Sequence, residues 1–149
     1  MDTLRGLMLL LAALLSSSPA HANSFAPFTG NGGASGTILL VGRSSADRAS
    51  CTRRSSVVGS NGLSFSLSCS GGRDFSLSCS FTAYGSRVSG NCSAGIASLS
   101  GSGTLYGKMM RLSMTSSFGT HARMTITPSS LSFRSPDARY VKSLQISSQ

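Results

Sequence analysis

The cysteines are the residues with the best-defined chemistry in this sequence. Four are present, Cys51, Cys69, Cys79 and Cys92, and an even number is typical of disulfide bonding in exported proteins. Free buried thiols are the alternative. Paired cysteines cannot ligate a metal as thiolates, and the other ligand types are sparse and scattered along the chain. We therefore predict disulfide bonds, no metal site and no cofactor.

Arginine is the second residue type that could do chemistry here. The chain has 13 Lys and Arg against 4 Asp and Glu, and its net charge is +9. Guanidinium groups bind phosphate, sulfate and carboxylate with two parallel hydrogen bonds. The charge could instead serve only to keep a Ser-rich surface soluble. The residues that we select as candidate anion-binding groups are Arg53, Arg54, Arg73 and Arg87.

Groups for acid–base or nucleophilic catalysis are scarce. His121 is the only histidine after position 22, and the chain has no Glu. A general acid–base pair needs two titratable groups held together, and the sequence pattern assembles none. Ser is abundant, but no G-x-S-x-G elbow occurs. We therefore predict a protein that is not an enzyme. Three Asp lie at or beside predicted turns: Asp47, Asp74 and Asp137.

The first residues, MDTLRGLMLLLAALLSSSPAHAN, have the pattern of a secretory signal peptide. Arg5 gives a positive start, residues 7–15 form a short apolar run, and Ala20-His21-Ala22 is a cleavage site. We expect residues 1–22 to be removed after Ala22, and the product to be periplasmic or secreted. No later apolar run is long enough to span a membrane as a helix. Residues 23–36 are predicted as a flexible Gly-rich lead or a clasp, and residues 37–149 as a single β domain.

Beyond the signal peptide the sequence alternates between apolar and small polar residues. This period of two is typical of strands with one buried face. Turn signals recur about every ten residues, which favours many short antiparallel strands. We predict an all-β, antiparallel up-and-down meander of about eight or nine strands that forms a small closed or nearly closed barrel. The first strand is expected at residues 38–41 and the last at 139–147.

The hexapeptide FSLSCS occurs twice, at residues 65–70 and 75–80, and predicts a hairpin. A three-residue loop at 71–73 matches every apolar position of one copy with an apolar position of the other. That register sets Cys69 opposite Phe75 and Leu67 opposite Leu77. One apolar face is enough to fix the register of such a pair.

The next predicted hairpin turns at Gly85-Ser86 and sets Cys79 opposite Cys92. This is a non-hydrogen-bonded site, where the strands come close enough for a disulfide. Cys51 then remains for Cys69, and a loop centred on Ser60 sets the two opposite each other. The predicted disulfides are therefore 51–69 and 79–92. Further along, a turn at 106–107 would set Leu99, Gly101 and Gly103 opposite Met114, Leu112 and Met110.

Arg53 is unusual, because strand parity with Cys51 turns it inward, opposite Leu67. Two explanations remain open. The guanidinium could anchor an anionic ligand at the mouth of the barrel, or the register could shift at this position. We favour the register shift.

Several stretches together resemble a group of small exported bacterial proteins of no assigned function. They are Cys51 with Arg53-Arg54, the strand LSFSLSCS, then DFSL and GSRVSG. The likeness covers roughly residues 28–147 and implies export and a β fold, but no activity. The group has a Trp and an acidic residue after VSG, where this chain has Cys92 and Ala94. The 79–92 disulfide would then be particular to this protein.

The outward faces of the central strands carry rows of Ser and Thr between the arginines. We expect a binding module for anionic polysaccharide or lipopolysaccharide. A small inhibitor or envelope accessory protein that binds a protein partner through its loops is the alternative, and a barrel with an interior ligand is a third. The hydroxyl face lacks the aromatic platforms that usually grip sugars or bases, and nucleic acid is not the expected partner.

Overall fold

The computed structural model describes residues 23–71 and 74–148. Predicted features at residues 1–22 and at Arg73 lie outside the described residues. The alternating sequence forms strands throughout, preceded by one 3₁₀ turn at Ala26–Phe28. The strands are β1 (Gly30–Leu40), β2 (Asp47–Val58), β3 (Gly62–Ser70), β4 (Phe75–Tyr84), β5 (Arg87–Ala94), β6 (Ala97–Tyr106), β7 (Met109–Ser116), β8 (His121–Thr127), β9 (Ser130–Arg134) and β10 (Val141–Ser148).

The strands form one closed up-and-down barrel. Each pairs antiparallel with its neighbours along the chain, and β1 also pairs with β10 to close the sheet. The predicted fold class is confirmed. The described chain has ten strands rather than eight or nine, and the strand that the sequence pattern misses is β9, which pairs with β8 and β10.

The inward side chains fill the barrel. Period-two alternation places Phe, Leu, Met and Ile inside and Ser, Thr and Arg outside on nearly every strand. The largest fully buried side chains are Phe25, Phe28, Phe65, Phe81, Ile38, Leu63, Leu67, Leu77, Met110, Met114, Met124 and Ile126. The interior is therefore a packed core that ties all parts of the sheet together.

Both predicted disulfides are present. Cys51 is bonded to Cys69 and Cys79 to Cys92, with each pair of Cα atoms 4.0 Å apart. The register of the FSLSCS hairpin is also confirmed, with Cys69 opposite Phe75. Direct pairing of apolar positions across a short loop was sufficient to fix these contacts.

The register between β6 and β7 differs from the prediction by two residues. Gly101 lies opposite Met114 and Gly103 opposite Leu112, so that the turn falls at 107–108 instead of 106–107. Leu105, rather than Gly103, is the partner of Met110. The shift keeps the same faces inward, because it is an even number of residues.

The segment before β1 closes one end of the barrel. Phe25 and Phe28 are 0% and 1% exposed, and their rings meet edge to face with centroids 6.2 Å apart. The Nδ2 of Asn23 donates to the carbonyls of Gly59 and Gly62 in the turn between β2 and β3. We call residues 23–29 the plug.

The prediction of a flexible lead over residues 23–36 therefore needs correction. Residues 30–36 belong to β1 and pair with β2, and the plug packs into the core. The alternative role as a clasp fits this arrangement, and the β domain begins well before residue 37.

The plug end of the barrel also carries the β2–β3, β4–β5, β6–β7 and β8–β9 turns. The other connections between consecutive strands lie at the opposite end, which we call the cleft end.

Candidate anion-binding site

Arg53 points into the barrel beneath the plug. It lies opposite Leu67 and is 8% exposed, so the inward parity is confirmed and the favoured register shift is wrong. Its Nη1 donates to the carbonyls of Thr127 and Pro128, both at 3.0 Å, and its Nη2 donates to the carbonyl of Phe28 at 3.1 Å. The guanidinium also lies 5.1 Å from the centroid of the Phe65 ring.

Burial lowers the pKa of Arg53 through desolvation. Backbone carbonyls and an aromatic face replace the lost water, and no carboxylate of the described residues pairs with it. The Nη1 and Nη2 donors that could bind an anion are already hydrogen-bonded to backbone carbonyls of the protein. Arg53 therefore holds the plug and the β8–β9 turn to β2.

The other candidate arginines do not lie together. Arg54 is exposed on the outer face of β2, opposite Asn31 and Ser66. Arg87 begins β5 at the plug end and is also exposed. Arg73 is outside the described residues. The structure thus does not bring Arg53, Arg54 and Arg87 into one site.

A different cluster of basic residues does form one site. Arg123 on β8 lies directly opposite Arg134 on β9, and both point outward. Lys142 lies beside them at the irregular point where β10 pairs with β1. These three side chains line one open groove, which we call the basic groove; it extends over β7, β8, β9 and β10 to Leu39 of β1.

Hydroxyl groups continue the groove on both sides. Ser113 lies opposite Arg123, and Ser143 lies opposite Arg134. Beyond Ser113 the same row crosses the neighbouring strands through Ser102, Ser89 and Thr82. Neighbouring members are about 5 Å apart, the spacing between strands. The face therefore offers a line of hydroxyls that leads to two guanidinium groups.

The cationic groups of the groove have no anionic partners of their own. Among residues 23–71 and 74–148, the one ion pair is between His121 and Asp137. Two like charges directly opposite on a sheet destabilise it. The groove thus holds positive charge that the described carboxylates leave uncompensated.

The His121–Asp137 pair lies at the edge of the groove, and the sequence pattern did not predict it. The Nδ1 of His121 is 3.0 Å from Oδ2 of Asp137, and the backbone N–H of His121 donates to both carboxylate oxygens. The side-chain hydrogen bond and then the backbone one hold the pKa of Asp137 below its usual value. Both side chains are exposed, at 74% and 48%. In the described chain, no hydroxyl is hydrogen-bonded to the imidazole as a nucleophile would be.

The cleft end holds a second, apolar pocket. It is a small open cleft of about 70 Å³ lined mainly by Phe75, Phe118, Phe133, Tyr140 and Val141. The guanidinium of Arg139 lies 4.7 Å from the centroid of the Phe118 ring. No group of three His, Cys, Asp or Glu in the described ranges could hold a metal ion.

A comparison with protein-family models found no match to this chain, and a search of curated proteins found no relative. In the part of the chain that the structure describes, no helix has the length and apolarity to cross a membrane.

Proposed function

We propose that this protein is an exported, non-enzymatic binding module that takes up anionic polysaccharide in the basic groove. The observation that carries the proposal is the cross-strand pair of Arg123 and Arg134, with Lys142 beside it. Forked guanidinium groups suit the carboxylate or sulfate groups of such a polymer. The two disulfides fit an oxidising compartment, which supports export after cleavage at Ala22.

The like-charge pair favours a role in binding over a role in solubility. Opposed arginines cost the sheet up to about 1 kcal/mol, whereas separated charges would give the same solubility without that cost. A bound carboxylate or sulfate would relieve the repulsion. The hydroxyl rows beside the arginines can donate to and accept from sugar hydroxyls, so that a polymer chain could continue past the charged centre.

The test is binding of the mature chain to polygalacturonate and to heparin over a series of salt concentrations. We expect the double variant R123S/R134S to bind at least about tenfold more weakly and to lose part of the salt dependence, since it neutralises fewer polymer charges. The same variant should unfold at a slightly higher temperature, because the repulsion between the strands is gone.

The matched control is R43S/R48S, which removes the same charge from exposed sites outside the groove. If both double variants weaken binding equally, net charge rather than the groove explains the affinity. If the unmodified chain does not bind either polymer at low salt, the proposal is wrong.

A protein partner at the cleft end is the second candidate. Val41, Ile96 and Tyr140 are exposed large side chains at this end, and Ile96 is 78% exposed. Together with the apolar cleft, they favour contact with a partner through the loops. Binding of this kind would persist at high salt and would not respond to R123S/R134S.

A further inference from the structure

The plug end of the barrel carries an exposed rim of aromatic, aliphatic and cationic side chains. Tyr84 is 71% and Tyr106 is 70% exposed, at the ends of β4 and β6. The turns bring them to neighbouring positions, because Arg87 lies opposite Tyr84 on one side and Thr104 of β6 on the other. We define the rim as Val58, Tyr84, Arg87, Tyr106, Lys108 and Met109.

The rim is built on short, linked turns. The backbone N–H of Ala83 donates to the carbonyl of Asn61 in the β2–β3 turn, and that of Leu105 donates to the carbonyl of Ser86 in the β4–β5 turn. These hydrogen bonds therefore link the β2–β3 turn to the end of β4 and the β4–β5 turn to the end of β6. The exposed side chains of these turns and strand ends are presented together by a closed sheet, and the plug packs into the core at this end of the barrel.

The plug end and the cleft end of the barrel carry different sets of charged side chains. Asp47, Asp74 and Asp137, the carboxylates of the described side chains, all belong to the cleft end. The rim has Arg87 and Lys108 and no described acidic side chain. Cleavage after Ala22 would add the amino group of Asn23 to this end. The plug end thus combines cationic and apolar side chains without a described carboxylate, whereas the cleft end mixes Arg43, Arg48 and Arg139 with the three carboxylates.

We propose that the rim docks on the surface of an anionic lipid bilayer. Tyrosine rings favour the boundary between headgroups and acyl chains, since one end of the ring is apolar and the other binds water. Basic residues close to an anionic leaflet strengthen the contact by about fivefold in affinity for each charge. Val58 and Met109 both supply apolar contact with the bilayer. The exposed turns of a packed barrel can enter the interfacial region of the bilayer without unfolding.

This arrangement would hold the barrel axis near the membrane normal and leave the basic groove on the flank free. The inference does not depend on the polysaccharide proposal, because the groove and the rim share no residue. A bilayer-docked orientation would present the groove to polymer in the adjoining aqueous space.

The absence of Trp from the sequence allows a direct test. The variant Y106W places a single tryptophan in the rim, and Y140W places one at the cleft end as the matched control. We expect the Y106W emission to shift to shorter wavelength with vesicles of phosphatidylglycerol and phosphatidylcholine, and not with phosphatidylcholine alone. The Y140W emission should stay unchanged with both. The opposite pattern, or equal shifts in the two variants, would overturn the proposal.

Vesicle sedimentation gives the second measurement. The variant R87S/K108S should bind anionic vesicles roughly 25-fold more weakly than the unmodified chain, whereas R43S/R48S and R123S/R134S should change binding much less. If R123S/R134S abolishes vesicle binding and R87S/K108S does not, the groove rather than the rim meets the lipid and the rim proposal fails. Vesicles without saccharide test the rim, and polysaccharide without lipid tests the groove, so that the failure of one is distinct from the failure of the other.

Discussion

The guanidinium of Arg53 connects segments of the fold that are far apart in the sequence. Parity along β2 was enough to turn it inward. Its partners could not be predicted, because the carbonyls of Phe28, Thr127 and Pro128 lie 25, 74 and 75 residues away along the chain. An inward arginine is costly unless its donors are satisfied, and here the backbone satisfies them.

We expect R53M to lower the free energy of unfolding by about 2–4 kcal/mol. Three carbonyls lose a charged donor, and each such hydrogen bond contributes about 1.5–3 kcal/mol, partly offset by relief of the desolvation that lowers the pKa of Arg53. The plug should also become accessible to thermolysin near residues 28–30. Urea unfolding and timed proteolysis measure the two effects.

The neighbouring R54M is the control, since it makes the same chemical change on the outer face of the same strand. Exposed substitutions of this kind usually stay within about 0.5 kcal/mol. Equal stability of R53M and R54M would show that the guanidinium does not hold the plug.

Individual strands illustrate where a period-two pattern specifies a register and where it does not. The hairpins around FSLSCS have large apolar residues on one face only, so that a slip of one residue would bury serines. The stretch SLSGSGTL of β6 has small residues on both faces. Its pattern is compatible with two registers, and the prediction chose the one that is two residues away from the register in the structure.

Inward glycines allow β6 to lie unusually close to β7. A Cβ on Gly101 would overlap the backbone carbonyl of Ser113, and a Cβ on Gly103 would overlap that of Arg111. The two strands thus approach more closely than side chains would allow, which suits the curvature of a small barrel.

We expect G103A to destabilise the barrel by about 1–3 kcal/mol, the usual cost of forcing an extra methyl group into a packed site. The obstacle is backbone rather than a flexible side chain, so that β6 and β7 must separate. The control is G32A, because nothing lies within 4 Å of a Cβ there and the backbone does not have a positive φ. It should be neutral or stabilising by up to about 1 kcal/mol. A urea midpoint for G103A equal to that of G32A would contradict the close approach.

The basic groove could not be found from the sequence because it depends on β9. SLSFR lies between Pro128 and Pro136 and is only five residues long, so the pattern predicts no strand there. Without β9, nothing sets Arg134 opposite Arg123. The plug was missed for a related reason: its Gly-rich continuation suggests flexibility, whereas the burial of Phe25 and Phe28 is decided by the closure of the whole barrel.

The two disulfide bonds are unevenly distributed over the barrel. Cys51–Cys69 joins β2 to β3 and Cys79–Cys92 joins β4 to β5. In the described chain, β6 to β10 have no disulfide and depend on core packing. The closure between β1 and β10 is likewise non-covalent. The bonds therefore shorten the first half of the unfolded chain and leave the second half unconstrained.

Removal of either bond should lower the free energy of unfolding by about 2–4 kcal/mol, since closed loops of 18 and 13 residues are near the 15-residue case worth about 3 kcal/mol. Because these cysteines are 3–6% exposed, alanine also leaves a small cavity. Loss of the constraint on the unfolded chain and loss of core packing have different effects on the m-value, which is the slope of the unfolding free energy against urea concentration. A less constrained unfolded chain exposes more surface, so C51A/C69A and C79A/C92A should each raise the m-value. Lower stability with an unchanged m-value would assign the loss to core packing instead.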